Sequence, residues 1–224
     1  MCFSAPADFA AAAAVGAVGV ATLMQVHRPR AALFAALPLL FAAHQATEGV
    51  VWLGADRLVS PAVTRAAMLA FMLYAQALLP LLVAAGVWLI EPSPARRRWV
   101  ALTVACAAGL CVLGAWGLAS THSIVTVQGR CLAFRNPVTN HPWYALAYAL
   151  PAAAPLLSSR PWVRAFGALN LAGMAVVLLV RAYALTSVWC LYAAALSVML
   201  YWAVRREEAA PSASTLTFPQ PRTI

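Results

Sequence analysis

Seven long apolar runs follow one another along the chain, separated by short linkers that hold most of the charged residues. A helix that crosses a membrane needs about 20 mostly apolar residues, and each run is close to that length. The pattern predicts an all-α polytopic membrane protein, a seven-transmembrane-helix bundle that forms one domain over residues 1–206. The predicted spans cover residues 7–26, 31–54, 66–90, 99–119, 142–158, 164–183 and 185–204.

Arginine is distributed unevenly between the linkers. One side of the predicted bundle carries nine arginines and the other side five, counting Arg181 at a span end. Positive charge is retained on the cytoplasmic side of a membrane, so we predict that the N-terminus is outside and the C-terminus cytoplasmic. Residues 207–224, which are rich in Pro, Ser and Thr, are then predicted to be a disordered cytoplasmic tail.

One linker, residues 120–141, is much longer than the others. Within it, two runs of strand-forming residues, 124–127 and 130–134, flank Gln128-Gly129, a sequence typical of a β-hairpin. This predicts a short extracytoplasmic β-hairpin between helices 4 and 5. A lid over the mouth of the bundle and a merely covered loop are both open interpretations.

The composition agrees with a membrane protein: 64% of the residues are hydrophobic and 9% are charged, with a mean hydropathy of +0.81. So few charges cannot cover a soluble domain of this size, which excludes a soluble enzyme. The net charge of +9 lies mainly in linkers, so the lipid bilayer is the expected partner and nucleic acid is not.

The residue types in the chain speak against two cofactors, retinal and haem. All 15 basic residues other than histidine are arginine, so no lysine is available to form a Schiff base with retinal, and retinal is excluded. Haem is not expected either, because His27, His122 and His141 lie in linkers and leave His44 without a second well-placed histidine.

The polar residues inside the spans are the best pointer to function, because burying them in a membrane is costly. Glu48 is the one formally charged residue that the sequence places well inside a span. His44, Glu48 and Trp52 are four residues apart and share a helix face, with Gln45 beside them. We call this face, formed by His44, Gln45, Glu48 and Trp52, the stripe. Polar residues of other spans are expected at about the same depth in the membrane: Tyr74, Gln76, Asn170, Arg181, Ser187 and Cys190.

These residues predict a polar pocket in the outer half of the bundle, with His44, Gln45, Glu48, Trp52, Tyr74, Gln76, Asn170, Arg181 and Ser187 as candidate ligand-binding residues. Each also has a structural interpretation. Glu48 and Arg181 would form an ion pair that only locks two helices together, and the polar face of span seven would only pack against a neighbour. Both interpretations are open at this point.

Three cysteines, Cys2, Cys131 and Cys190, are predicted to lie near the outer, oxidising side. An odd number suggests one disulfide and one free thiol, with the pairing open. Cys2 and Cys190 together with His44 and Glu48 would also suit zinc or another transition metal. The HExxH, GxSxG, CxxC and Walker motifs are absent.

The opening Met1-Cys2-Phe3-Ser4-Ala5 and the HQxxEGxxW motif from His44 to Trp52 resemble an uncharacterised bacterial family of small multi-pass membrane proteins, classed as a domain of unknown function. Residues 36–42, 166–167, 170–171 and 187–190 extend the resemblance over most of the chain. It implies a bacterial cytoplasmic (inner) membrane location and no particular activity. It also implies that eight residues belong to the family pattern: Cys2, His44, Gln45, Glu48, Trp52, Asn170, Trp189 and Cys190.

Three functions follow as hypotheses. The first is an outward-facing intramembrane pocket that binds a small molecule, a lipid headgroup or an ion, in a sensor, a carrier or a complex subunit. The second is a membrane-embedded metal-dependent enzyme that acts on lipid, and the third is a structural or assembly subunit. A homo-oligomer and a larger membrane complex are both compatible with the sequence.

Overall fold

Helices make up most of the chain. The computed structural model describes residues 4–129, 131–181 and 185–209, with only the backbone described for residues 178, 180, 181, 185–191, 193 and 194. The α-helices are α1 (Ala5–Leu23), α2 (Ala32–Ala35), α3 (Leu37–Ala55), α4 (Pro61–Met72), α5 (Leu79–Ile90), α6 (Pro94–Ser120), α7 (Pro142–Ala152), α8 (Pro161–Arg181) and α9 (Leu185–Ala209). A π-helix, Leu73–Leu78, joins α4 to α5, and 3₁₀ turns cover Pro29–Ala31 and Ala154–Leu157.

The prediction of a mainly helical fold is confirmed, with different helix edges. Helices α4 and α6 begin at Pro61 and Pro94, five residues before the predicted spans 66–90 and 99–119. Proline is favoured in the first turn of a helix, where its missing N–H is not needed. Helix α9 continues to Ala209, so the first three residues of the predicted tail are helical, and residues 210–224 lie outside the described chain.

Three helical segments within the described residues are long and apolar enough to cross a membrane: Ala5–Leu23, Pro61–Ile90 and Pro94–Ser120. Pro161–Val177 is a shorter apolar helix. Helix α3 has 19 residues and carries the polar residues His44, Gln45 and Glu48. Membrane association is thus supported for three segments, while the seven-span topology and its orientation stay predictions.

The π-helix is a consequence of Pro80. In an α-helix the N–H of residue 80 would donate to the carbonyl of Gln76, but proline has no N–H and its ring crowds that carbonyl. The chain widens there, and the N–H of Leu79 donates to the carbonyl of Tyr74, five residues back. Two tyrosines of α7 supply the missing donors: the Tyr144 hydroxyl lies 2.7 Å from the Gln76 carbonyl, and the Tyr148 hydroxyl lies 3.0 Å from that of Ala75.

The long linker contains two antiparallel strands, β1 (Ile124–Gln128) and β2 (Cys131–Arg135), with Gln128 opposite Cys131. The inner side of β2 is buried, including Leu132 and Phe134. Phe134 stacks on Phe71 of α4 at a centroid distance of 4.2 Å. The strand pair therefore packs on the end of the helices, and its location outside a membrane stays a prediction.

The connections between the helices lie at the two opposite ends of the bundle, which we call the strand end and the arginine end. The strand end contains the α3–α4 turn, the end of α6 and the strand pair, around a core of Trp52, Phe71 and Phe134. The arginine end contains the turns around Arg28, Glu91 and Arg160 and the end of α9. Its core is built on Phe34, whose ring meets Trp162 and Phe166 edge-on.

Helices α1 and α3 pack against each other with their backbones close together. A Cβ added at Gly19 would lie 2.6 Å from the backbone nitrogen of Leu39, and one at Gly49 would meet the Phe9 ring. Gly19, near the end of α1, thus lies against Leu39 near the start of α3, and Gly49, in the second half of α3, lies against Phe9 near the start of α1. The two helices are therefore antiparallel. The polar residues of α3 are thereby placed beside the first turns of α1.

We expect Gly19→Ala to lower the free energy of unfolding by about 1–3 kcal/mol, because the contact atom is backbone and cannot move aside. Gly109→Ala is the matched control, since nothing lies within 4 Å of its added Cβ. There the change should be neutral or stabilising by about 0.5–1 kcal/mol, the helix preference for alanine over glycine. Unfolding in detergent with increasing dodecyl sulfate measures both, and equal effects would contradict the close α1–α3 contact.

Candidate functional site

The polar stripe predicted on span two is buried in α3. Glu48 is fully buried, and His44, Gln45 and Trp52 are each at most 7% exposed. All four side chains belong to two and a half turns of the same helix. A helix that buries an acid, an imidazole, an amide and an indole on one side is unusual, because each polar group is costly to remove from water.

Asp8 of α1 joins this group, and the sequence did not indicate it. The apolar pattern places only Glu48 deep in a span, but Asp8, near the start of the first run, is 1% exposed. Its Oδ1 accepts a hydrogen bond from Nε2 of Gln45. The antiparallel packing of α1 on α3 produces this contact. The signal that could have located it was the presence of an acid in the first apolar run.

Aromatic rings hold His44 from one side. The imidazole stacks on Phe71 with centroids 4.0 Å apart and planes inclined by 19°, and it lies 4.6 Å from the ring of Tyr74. Phe71 in turn stacks on Phe134 of β2. A continuous stack of three rings therefore connects the stripe on α3 with the strand pair, which covers this side of the site.

Three buried polar atoms in this region have no hydrogen-bond partner within the described part of the chain: Oδ2 of Asp8, Nδ1 of His44 and Nε1 of Trp52. Most buried polar atoms in folded proteins are hydrogen-bonded. The three atoms supply an acceptor, an imidazole nitrogen that accepts or donates according to its tautomer, and an indole donor. Together they have the chemistry to hold a small polar molecule or an ion.

Gln76 and Tyr74, the candidates on span three, separate in the structure. Tyr74 lies beside His44, whereas the Gln76 side chain accepts a hydrogen bond of 2.5 Å from the Thr139 hydroxyl. Thr139 belongs to a turn organised by Asn136, whose Oδ1 accepts from the backbone N–H groups of Val138 and Thr139. Gln76 therefore anchors the linker that precedes α7.

The remaining candidates are placed less completely. Asn170 is half-buried on α8, Arg181 is the last residue of α8, and Ser187 and Cys190 lie on α9. The side chains of Arg181, Ser187 and Cys190, and all of Cys2, are outside the described residues. Their convergence on His44 stays a prediction.

The metal and disulfide predictions depend partly on those residues. Among the described side chains, no group of three or more His, Cys, Asp or Glu is placed to hold a metal. Cys131 is half-buried on β2 and forms no disulfide with a described residue. A Cys2–Cys190 disulfide and a metal site that uses either cysteine stay predictions.

Comparison with known proteins gives a family without an assigned activity. The family described as "Family of unknown function (DUF6629)" matches residues 1–215. The chain belongs to DUF6629. No curated protein and no solved structure matches this DUF6629 chain. The match covers α1 to α9 and includes every residue of the buried stripe, so the site lies within the family domain.

Proposed function

We propose that this DUF6629 protein is a seven-span protein of the bacterial inner membrane. In this proposal an outward-facing pocket around Asp8, His44 and Glu48 binds a small polar molecule, a lipid headgroup or an ion. The arrangement of the linkers supports the topology: Arg28, Arg30 and Arg160 meet at the arginine end, while Arg57 and Arg65 lie at the strand end. Helices that alternate in direction across a membrane would produce this separation.

The observation that carries the proposal is the set of buried polar atoms without a partner among the described residues. Asp8 Oδ2, His44 Nδ1 and Trp52 Nε1 lie on two helices joined by the Asp8–Gln45 hydrogen bond. Polar groups left unsatisfied in this way cost about 1–3 kcal/mol each. A ligand that hydrogen-bonds to them would offset that cost. A sensor, a carrier and a complex subunit would each use such a pocket.

The test is whether protein extracted gently from its own membranes carries a bound small molecule that depends on the stripe. His44→Phe keeps an aromatic ring beside Phe71 but lacks the imidazole nitrogens, and Glu48→Gln replaces the carboxyl group by an amide of nearly the same shape. We expect native mass spectrometry to detect a non-covalent ligand on the wild type. Its occupancy should fall about tenfold or more in each variant, the equivalent of one or two lost hydrogen bonds.

Thr103→Val is the matched control, because the Thr103 hydroxyl is buried in α6 and bonds only to its own helix, at the Val100 carbonyl. It should leave the occupancy unchanged. A wild-type protein without ligand, or a ligand that both stripe variants retain at the wild-type occupancy, would favour a structural or assembly subunit. The stripe would then serve helix packing alone.

A membrane-embedded metal-dependent enzyme acting on lipid is the second candidate. His44 and Glu48 are one helical turn apart and buried, and His44 Nδ1 has no protein partner among the described residues. A zinc site would need further ligands, for which Cys2 and Cys190 are the proposed residues. Elemental analysis of the purified protein should then give about one zinc or other transition metal per chain, and its absence would remove this candidate.

A further inference from the structure

A cleft of about 670 Å³ opens at the strand end, between the α3–α4 turn, the end of α6 and β1. Its floor includes the side chains of Met68 and Leu118, which are buried in the same core cluster as Trp52. Its polar lining includes the side chains of Arg57 and Arg65. No carboxylate belongs to the described residues that line it, so the cleft combines an apolar floor with net positive charge.

Arg57 occupies a position where glycine is the usual residue. The N–H of Leu58 donates to the Leu53 carbonyl at 2.8 Å, and the N–H of Arg57 donates to the Gly54 carbonyl at 3.0 Å. These two bonds form a Schellman motif that ends α3, and its left-handed residue is Arg57, with φ of 60°. A left-handed conformation is unfavourable for a residue that has a Cβ, so this arginine is not explained by the turn.

The guanidinium groups of Arg57 and Arg65 have no ion-pair or hydrogen-bond partner among the residues that the structure describes. The salt bridges among those residues join His27 to Glu208 and Arg160 to Glu207, at the opposite end of the bundle. Arginine is the side chain best suited to phosphate, because its planar fork of donors matches two phosphate oxygens. The Ser123 hydroxyl also lines the cleft, and it accepts a hydrogen bond from Asn136 Nδ2, so its own proton is available to an anion.

We infer that this cleft binds a phosphate-ester anion carried by an amphiphile, with Arg57 and Arg65 holding the phosphate and the apolar floor beside Met68 and Leu118 holding the adjoining apolar part. A free phosphate would use the two arginines but not the floor. The cleft lies at the end of the helices, where a lipid headgroup would meet a membrane protein. This site is separate from the stripe on α3, so the inference rests on the membrane location in the proposed function but not on a ligand at the stripe.

The experiment is isothermal titration of the full chain in a non-ionic detergent with three probes. These are dihexanoyl phosphatidylglycerol, dihexanoyl phosphatidylcholine and inorganic phosphate. We expect saturable binding of the anionic lipid, with binding of the zwitterionic lipid about tenfold weaker or more. Inorganic phosphate binding as tightly as the anionic lipid would assign the same arginines to a free anion, which retains the phosphate site but removes the role of the floor.

Arg57→Gly separates binding from folding. Glycine is the preferred residue at this turn, so the unfolding temperature should stay equal or rise, while affinity for the anionic lipid falls about tenfold or more. Arg65→Gln should weaken binding similarly, and Arg98→Gln, an exposed arginine of α6 outside the cleft, should not. No saturable binding of any probe, equal binding of both lipids, or wild-type affinity in Arg57→Gly and Arg65→Gln would overturn the inference.

Discussion

Glu91→Ala should lower the free energy of unfolding by about 3–5 kcal/mol, because it leaves one buried and two partly buried donors without their acceptor. Glu91 is 3% exposed and lies at the arginine end. Its Oε1 accepts from the Ser93 N–H at 3.0 Å, and its Oε2 accepts from the Ser158 hydroxyl at 2.7 Å and the Ser159 N–H at 2.8 Å. One side chain thus joins the α5–α6 turn to the α7–α8 turn.

The same residue predicts loss of stability in acid. Burial raises the pKa of Glu91, but the hydrogen bonds from Ser159, Ser158 and Ser93 outweigh it and hold the pKa below its ordinary value of 4.5. Because the folded pKa is lower than the unfolded one, the stabilisation is fully present above pH 4.5 and is lost as pH falls through the folded pKa.

Dodecyl sulfate unfolding of wild type and Glu91→Gln at several pH values measures this effect. The difference between the two proteins should be largest near neutral pH and shrink below about pH 4.5. Asp56→Asn is the control, because Asp56 is an exposed carboxylate at the strand end. If the difference in unfolding free energy between wild type and Glu91→Gln stayed constant down to the lowest pH measured, it would contradict an ionised, hydrogen-bonded Glu91.

Tyr144→Phe should cost about 1–3 kcal/mol of unfolding free energy, since it removes the donor that serves the Gln76 carbonyl beside Pro80. The Tyr144 hydroxyl is buried and lies 2.7 Å from the Gln76 carbonyl and 3.0 Å from that of Leu110. Tyr201→Phe is the control, because the Tyr201 hydroxyl only accepts a weak, exposed hydrogen bond of 3.4 Å from Arg205. Its effect should stay below about 0.5 kcal/mol.

A double-mutant cycle tests whether Pro80 is the reason for this dependence. Pro80→Ala restores an N–H that can donate to the Gln76 carbonyl and let the helix close to α geometry. In that background the cost of Tyr144→Phe should be smaller by about 1 kcal/mol. Additive effects of the two substitutions would mean that Tyr144 stabilises the bundle by packing and its bond to Leu110 alone.

Part of this organisation could be predicted from the order of residues alone. The length of the apolar runs located the helices, and the four-residue spacing of His44, Glu48 and Trp52 placed them on one face, because both depend on local helix geometry. The antiparallel strands found in the long linker lie where strand-forming residues flank Gln128-Gly129. The sequence shows that Pro80 lies within an apolar run, but it does not predict that tyrosines of α7 donate to the carbonyls that the proline leaves without a partner.

The hydrogen-bond partners of the polar groups could not be predicted from the sequence, because they depend on how the helices rotate and pack. Gln45 meets Asp8 from 37 positions away, Gln76 meets Thr139 from 63, and Glu91 meets Ser158 from 67. Hydrophobic periodicity indicates which face is buried but not which helix covers it. The apolar runs thus made this chain a helical protein with three segments fit to cross a membrane. Helix packing put Asp8 beside the stripe, Gln76 against the linker that precedes α7, and Arg57 in the lining of a cleft.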